Sequence, residues 1–135
     1  MIELTLAMAE RATRAAREKA DALGTPMTIT VVDEAGRLVL CSRGDGTGFF
    51  TPETSRAKAM AAASFRTSTA DLAERVAKGG PFWTHVGSVL SGQILPSHGA
   101  VPIVVKGRVI GAIGCGGGTG EQDQECAAAG AATLA

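Results

Sequence analysis

Leu4, Met8, Ala12, Ala16, Ala20 and Leu23 recur at spacings of four and three, while Arg11, Arg14, Arg17 and Glu18 fall on other faces. That is the helical period, and it predicts an amphipathic helix over residues 2–23 that ends at Gly24, with Pro26 following. From Met27 to Val32 the period changes to two, apolar residues alternating with threonine. Residues 37–42 repeat the extended pattern, so Asp33-Glu34-Ala35-Gly36 reads as the turn of a first hairpin. A polar, glycine-spaced loop, Arg43 to Gly48, then delivers Phe49 and Phe50 to a second helix, with Thr51 as its cap and Pro52 in its first turn. Ser55, Lys58, Ala59, Ala62 and Phe65 lie on or near one face of that helix. Ser68, with Asp71 three residues on, opens a third helix that stops at Gly79-Gly80-Pro81.

Residues 82–98 are apolar but weakly periodic, and read as a short helical turn leading to an edge strand near Gln93 to Leu95. Val101–Val105 and Arg108–Cys115 are β-branched runs joined only by Lys106 and Gly107, the signature of a primed hairpin turn between antiparallel strands. Glycines at 114, 116, 117, 118 and 120 strip side chains from the loop that follows, so that backbone can approach a ligand or another chain. Thr119 and Gln122 have capping-box spacing for a last helix through Cys126 and Ala129. Hairpins joined to helices, without one-for-one alternation, predict an α+β fold in which helices cover an antiparallel sheet.

The glycine loop fails the phosphate-binding fingerprints. The G-x-G-x-x-G pattern from Gly114 meets Thr119, and from Gly116 it meets Glu121. No lysine follows Lys106, and the acids at 121, 123 and 125 would repel a phosphate. A length of 135 residues argues for one domain, and thirteen basic and thirteen acidic residues cancel, which argues against nucleic acid or an anionic membrane surface as partner. The absence of a signal-like start and of a long apolar run makes the cytosol the expected location. Three cysteines without C-x-x-C spacing argue for free thiols over a disulfide framework or a zinc site. The abundant alanine and glycine would also admit close subunit contacts.

The ordered set of Asp33-Glu34-Ala35-Gly36-Arg37, Arg43-Gly44-Asp45-Gly46, the Ser55–Thr67 helix with Lys58-Ala59 and Phe65-Arg66-Thr67, Gly99–Ile103, and Gly107–Gly118 followed by Glu121-Gln122-Asp123 resembles the GlcG/HbpS family over nearly the whole chain. That family in turn resembles the C-terminal domain of PduO-type proteins. The resemblance implies a five-stranded antiparallel sheet flanked by helices, of profilin-like kind, assembling into homo-oligomers. Some members bind haem or related tetrapyrroles, and many lie beside genes of glycolate or diol metabolism. This chain departs from the family in having no histidine in residues 2–23, His98-Gly99 where Gly-Gly is common, and Cys115-Gly116 where Val-Ser is common.

Two functions follow as expectations. One is a small-ligand-binding protein with haem or another tetrapyrrole as first candidate, its pocket lying between the glycine loop, His98 and the Lys58 helix. The other is a cofactor-independent enzyme acting by acid–base chemistry on a small carbonyl or carboxylate compound, with His98, Cys115 and Lys58 as catalytic groups. His98 is able to ligate iron or act as a base, or is a solvated loop residue. Cys115 is a thiolate candidate for nucleophile or iron ligand, or a packing residue. Arg43 would clamp a carboxylate or pair with a neighbouring acid, and Phe49 and Phe50 would wall a planar ligand or staple the loop. Ser55 and Lys58 have S-x-x-K spacing without its partner motifs, and Lys58 is carried over as a pocket or structural lysine. Gly99, Gly116 and Gly117 complete the expected ligand-binding set. His85, Cys41 and Cys126 read as packing residues, and the acids at 121, 123 and 125 as partners of the helix dipole.

Overall fold

In the computed structural model, which describes residues 3–135, nine elements follow in the order α1 (Leu6–Leu23), β1 (Thr28–Asp33), β2 (Leu38–Ser42), α2 (Thr51–Phe65), α3 (Thr69–Lys78), α4 (Pro81–Val89), β3 (Ala100–Val105), β4 (Arg108–Gly116) and α5 (Gly120–Ala132). Helix α1 starts later than its periodicity suggests, because the Thr5 hydroxyl accepts the Met8 N–H at 3.1 Å and caps it there. The expected start at residue 2 lies outside the described residues. Gly24, at φ 69°, ends it as expected.

The sheet is antiparallel with strand order β2-β1-β4-β3, so among the described residues it has four strands and not five. The missing member is the segment read as an edge strand at 93–95. Leu95 N–H donates to the Ala57 carbonyl at 3.1 Å and Ile94 buries with Ala61, Leu72 and Val86, so this stretch docks on helices and never reaches the sheet edge. Pro96, which has no N–H, follows directly. The hairpin turns behave as their chemistry demands. Lys106 and Gly107 both take positive φ, 51° and 75°, the primed turn that matches strand twist. Asp33 Oδ1 accepts from the N–H groups of Ala35 and Arg37, both at 2.9 Å, closing the first hairpin.

Helices cover both faces. Alternation sends Ile29, Val31, Ile113 and Cys115 toward α1 and α5, where they join Ala9, Ala12, Ala16, Cys126 and Ala127 in the largest core cluster. The alanine stripe of α1 is therefore spent inside the chain, against α5 and the sheet, and not on a subunit contact. Val32 and Ala112 face α2 instead, packing on Ala59, Ala62 and Ala63. The threonines of β1 point the same way and meet hydroxyls of α2: Thr28 and Thr51 share a hydrogen bond at 2.8 Å, Thr30 and Ser55 one at 2.7 Å. Thr51 is thus not the cap of α2. Phe50 holds the cap position without a side-chain hydrogen bond, and Thr51 donates to the Gly48 carbonyl at 2.8 Å.

Candidate functional site

Lys58 is the residue on which the site is built. It sits on the sheet-facing side of α2 and is buried, and an ammonium there needs partners. Its Nζ donates to the Cys115 carbonyl at 3.0 Å and to Asp123 Oδ2 at 3.1 Å, so helix α2 is tied to the first turn of α5 across the end of the sheet. Both side chains are nearly closed to solvent, 9% and 5% exposed, which makes this a buried ion pair and not a surface bridge. The other Asp123 oxygen accepts the Gly118 N–H at 2.9 Å, so the glycine loop closes over the pair.

Gly99 makes the route possible. A Cβ there would lie 2.9 Å from both Cδ and Nζ of Lys58 and 2.7 Å from the Cys115 carbonyl, at a φ of +136° that favours glycine. Gly99 is thus a passage for the lysine, and its N–H donates to Gln124 Oε1 at 2.7 Å. Burial raises the pKa of Asp123 above its ordinary value; the Lys58 ammonium and the Gly118 N–H pull it part of the way back.

Above the pair opens a cleft of about 360 Å³, whose polar lining includes Lys58, Asp123, Thr54 and Ser97 and whose apolar lining includes Phe50 and Leu95. Gly116 and Gly117 form part of its wall. Gly116 leaves it open, since a Cβ there would meet nothing closer than Thr54 Oγ1 at 3.4 Å. Of the residues singled out from the sequence, Lys58, Phe50, Gly116 and Gly117 are brought together here, and Gly99 lies beneath.

The others are not in the cleft. Cys115 points to the opposite face of the sheet, fully buried against α1 and α5, and burial, reinforced by Cys126 and Asp123, raises its thiol pKa well above the ordinary 9.0. It is a packing residue whose carbonyl, not its sulfur, serves the site. His98 is exposed beside Gly120 at the start of α5 and does not line the cleft. Arg43 lines a separate cleft with Arg17, Asp21 and Asp45. Phe49 is 90% exposed, its ring set edge-to-face with that of Phe50 at a centroid distance of 5.7 Å. Ser55 is turned to Thr30, so the S-x-x-K spacing brings no serine to the lysine. Two packing assignments also change, because His85 and Cys41 are both exposed. Cys126 is buried as expected, its thiol pushed up to about 11 by burial.

Asp123 is the residue that sequence reasoning missed. In sequence, its position in a first helical turn is already accounted for by the helix dipole. The signal available was Lys58, because a lysine in an alanine-rich helix face needs an anion, and the acids after the glycine loop were candidates to supply it. Among the described residues no group of three His, Cys, Asp or Glu side chains is placed to hold a metal ion.

The family model "Haem degrading protein HbpS-like" matches residues 4–132. The chain belongs to this GlcG/HbpS family. Protein GlcG of Escherichia coli K12 is 35% identical over 111 residues, which are 82% of this chain and 79% of GlcG. The crystal structure of a double mutant of Streptomyces reticuli HbpS superposes with a TM-score of 0.89 at 33% identity, covering 100% of this chain and 89% of that one. A crystal structure of a PduOC:heme complex gives the same TM-score at 28% identity, covering 98% of this chain and 96% of that one. The HbpS-like chain thus keeps its relatives' fold over almost its full length, and no helix among its described residues is long and apolar enough to cross a membrane.

Proposed function

We propose that this HbpS-like chain is a small-ligand-binding protein whose cleft over the Lys58–Asp123 pair takes a small, oxygen-bearing carbonyl or carboxylate compound. The observation that carries the reading is the pair itself: a buried cation and a buried anion side by side in the floor of an open cleft. Lys58 has three N–H donors and two are engaged, by Asp123 and the Cys115 carbonyl, which leaves one for a ligand oxygen. Thr54 adds a hydroxyl whose own hydrogen bond, to the Thr51 carbonyl, is long at 3.4 Å.

Haem and other tetrapyrroles are the ligand class that the relatives' names support. The cleft offers haem iron no customary side-chain ligand. Haem iron takes His, Cys, Met or Tyr as protein ligand, and among the described residues none of these lines the cleft.

A second reading, an acid–base enzyme in the same cleft, is favoured by Asp123. A carboxyl with a raised pKa beside an ammonium is an arrangement suited to moving a proton at a bound carbonyl compound. In that reading Asp123 and Lys58 are the catalytic pair, and His98 and Cys115 have no part.

Thermal denaturation against a panel of small hydroxy-acids, keto-acids and aldehydes tests the cleft. A compound present at a hundred times its Kd stabilises the fold by about 2.7 kcal/mol, which for a domain of this size raises Tm by roughly 8–12 °C. Thr54→Val, which removes one hydroxyl from the lining, should weaken that compound about fivefold, in line with a net hydrogen bond of about 1 kcal/mol. A panel that leaves Tm unmoved, or a shift indifferent to Thr54→Val, would sink the proposal.

A further inference from the structure

Neither packing nor backbone conformation demands a glycine at 116. Gly117 stands at a φ of +136°, and a Cβ there would lie 2.6 Å from the Pro26 carbonyl. A Cβ at Gly118 would lie 2.7 Å from Gln122 Oε1, which the helix cap holds in place. The fold accounts for both of those glycines. A Cβ at Gly116 would meet nothing closer than 3.4 Å. What a side chain at 116 would take is room in the cleft that Lys58 and Asp123 also line.

Among the described residues that lining holds one amine and one carboxyl, and they are hydrogen-bonded to each other at 3.1 Å. A lysine that served the fold alone would need only its anion, but this one also borders open volume. Thr54 and Ser97 bring hydroxyls to the lining and suit a carbonyl or hydroxyl oxygen, while Phe50 and Leu95 suit a short carbon chain. The nitrogen is held in place as well, by the Cys115 carbonyl at 3.0 Å and by the passage over Gly99. A nucleophile fixed in this way is already oriented toward what the cleft admits.

We infer, on the reading of the cleft as a carbonyl-compound site, that Lys58 is a nucleophile that condenses with a short aliphatic aldehyde or ketone and holds it as an iminium. A proton passes along the hydrogen bond from Nζ to Asp123 Oδ2, and rotation about Cε–Nζ turns the freed lone pair to the carbonyl carbon. The N–C bond forms as the C–O π bond opens, and Asp123 returns its proton to the oxygen. The same carboxyl takes a second proton from nitrogen and delivers it to the hydroxyl, which leaves as water while the nitrogen lone pair closes the C=N bond. Two of the three ammonium protons end in the water and the third remains on the iminium, with no oxidant or reductant involved. Charge favours this product. The iminium keeps the positive charge of the ammonium and so keeps Asp123 paired, whereas acylation of the same nitrogen would remove the charge and strand the carboxylate. Burial, by raising the Asp123 pKa, suits that carboxyl to taking up and releasing a proton.

Reductive trapping on the full wild-type chain is the test, with butyraldehyde and sodium cyanoborohydride at neutral pH, quenched early and mapped by peptide mass spectrometry. The other lysines, Lys19, Lys78 and Lys106, are all more exposed than Lys58, so by access alone Lys58 would be labelled last. It should instead be alkylated ahead of them by about a hundredfold, the low end of what a positioned acid–base partner supplies. N-hydroxysuccinimidyl acetate should acylate those three and spare Lys58. Gly116→Leu, which fills the cleft without replacing either partner, should slow butyraldehyde labelling of Lys58 alone, and unchanged labelling would overturn the cleft as the route. Equal labelling of Lys58 by the aldehyde and the acylating reagent would mark it as an accessible amine and overturn the inference. Lys58 labelled last, while a compound of the thermal panel still raises Tm, would overturn the nucleophile and leave the binding site standing. Lys58 labelled last with no compound moving Tm would overturn both.

Discussion

Lys58→Met should cost the fold about 3–5 kcal/mol, because it leaves the Asp123 carboxylate in a low-dielectric site with only the Gly118 N–H for company. Asp123→Ala should cost a similar amount by stranding the ammonium. The double substitution Lys58→Met with Asp123→Leu removes both charges, and should recover most of the loss, since apolar replacement of a whole buried pair is often neutral. Urea unfolding of the three variants reads these differences directly, and a double variant as unstable as the sum of the singles would show that the charges are not coupled.

The penalty should also depend on pH, with a definite sign. Asp123 has a raised pKa in the folded protein, so the folded chain holds this proton more tightly than the unfolded chain does. Its contribution is most favourable below the ordinary carboxylate value of 3.8 and is lost as pH rises through the folded value. Removing the ammonium takes away a group that lowers this pKa, so Lys58→Met pushes it further up and widens that window. The variant should therefore fall furthest behind the wild type near pH 7 and least near pH 4. An equal deficit at both pH values would mean that the lysine matters for packing and not for charge.

Gly114→Ala should be the second severe change, near 3 kcal/mol, at the upper end of the range for overpacking. A Cβ at Gly114 would lie 2.2 Å from the Ser55 carbonyl and 2.9 Å from the Ala59 N, and both are helix backbone. Helix α2 would have to lift from β4, carrying Lys58 away from Asp123 as it moved. Gly116→Ala, two residues along on the same face, is the control. Its nearest neighbour would be 3.4 Å away, so stability should change by less than about 1 kcal/mol while the cleft loses one methyl of volume. Equal melting temperatures for the two variants would contradict this packing.

The elements legible in the sequence are those whose hydrogen bonds close within about four residues. The Thr119 hydroxyl takes the Gln122 N–H and the Gln122 side chain takes the Thr119 N–H, a reciprocal cap visible in the spacing alone. The Ser68–Asp71 cap and the Lys106-Gly107 turn are local in the same sense. Gln93 to Leu95 dock on helices and not at the expected sheet edge, and nothing local in so short a segment distinguishes the two.

The site divides along the same line. The ordered family motifs across the chain were enough to identify the HbpS-like family and to mark Lys58, Phe50 and the glycines as residues of interest. Which side of the sheet each residue faces was decided only by register. β4 pairs Ile29 with Cys115 and Thr30 with Gly114, and that alternation turns the Cys115 thiol into the α1–α5 core while laying its carbonyl beside Lys58. Asp123 lies 65 residues from Lys58 in sequence, and only the packing of α2 and α5 about the end of the sheet brings them to 3.1 Å. Local composition set the turns and caps because their energies are short-ranged. The ion pair and the cleft had to wait for the tertiary fold, because each depends on which distant surfaces the chain covers and which it leaves open.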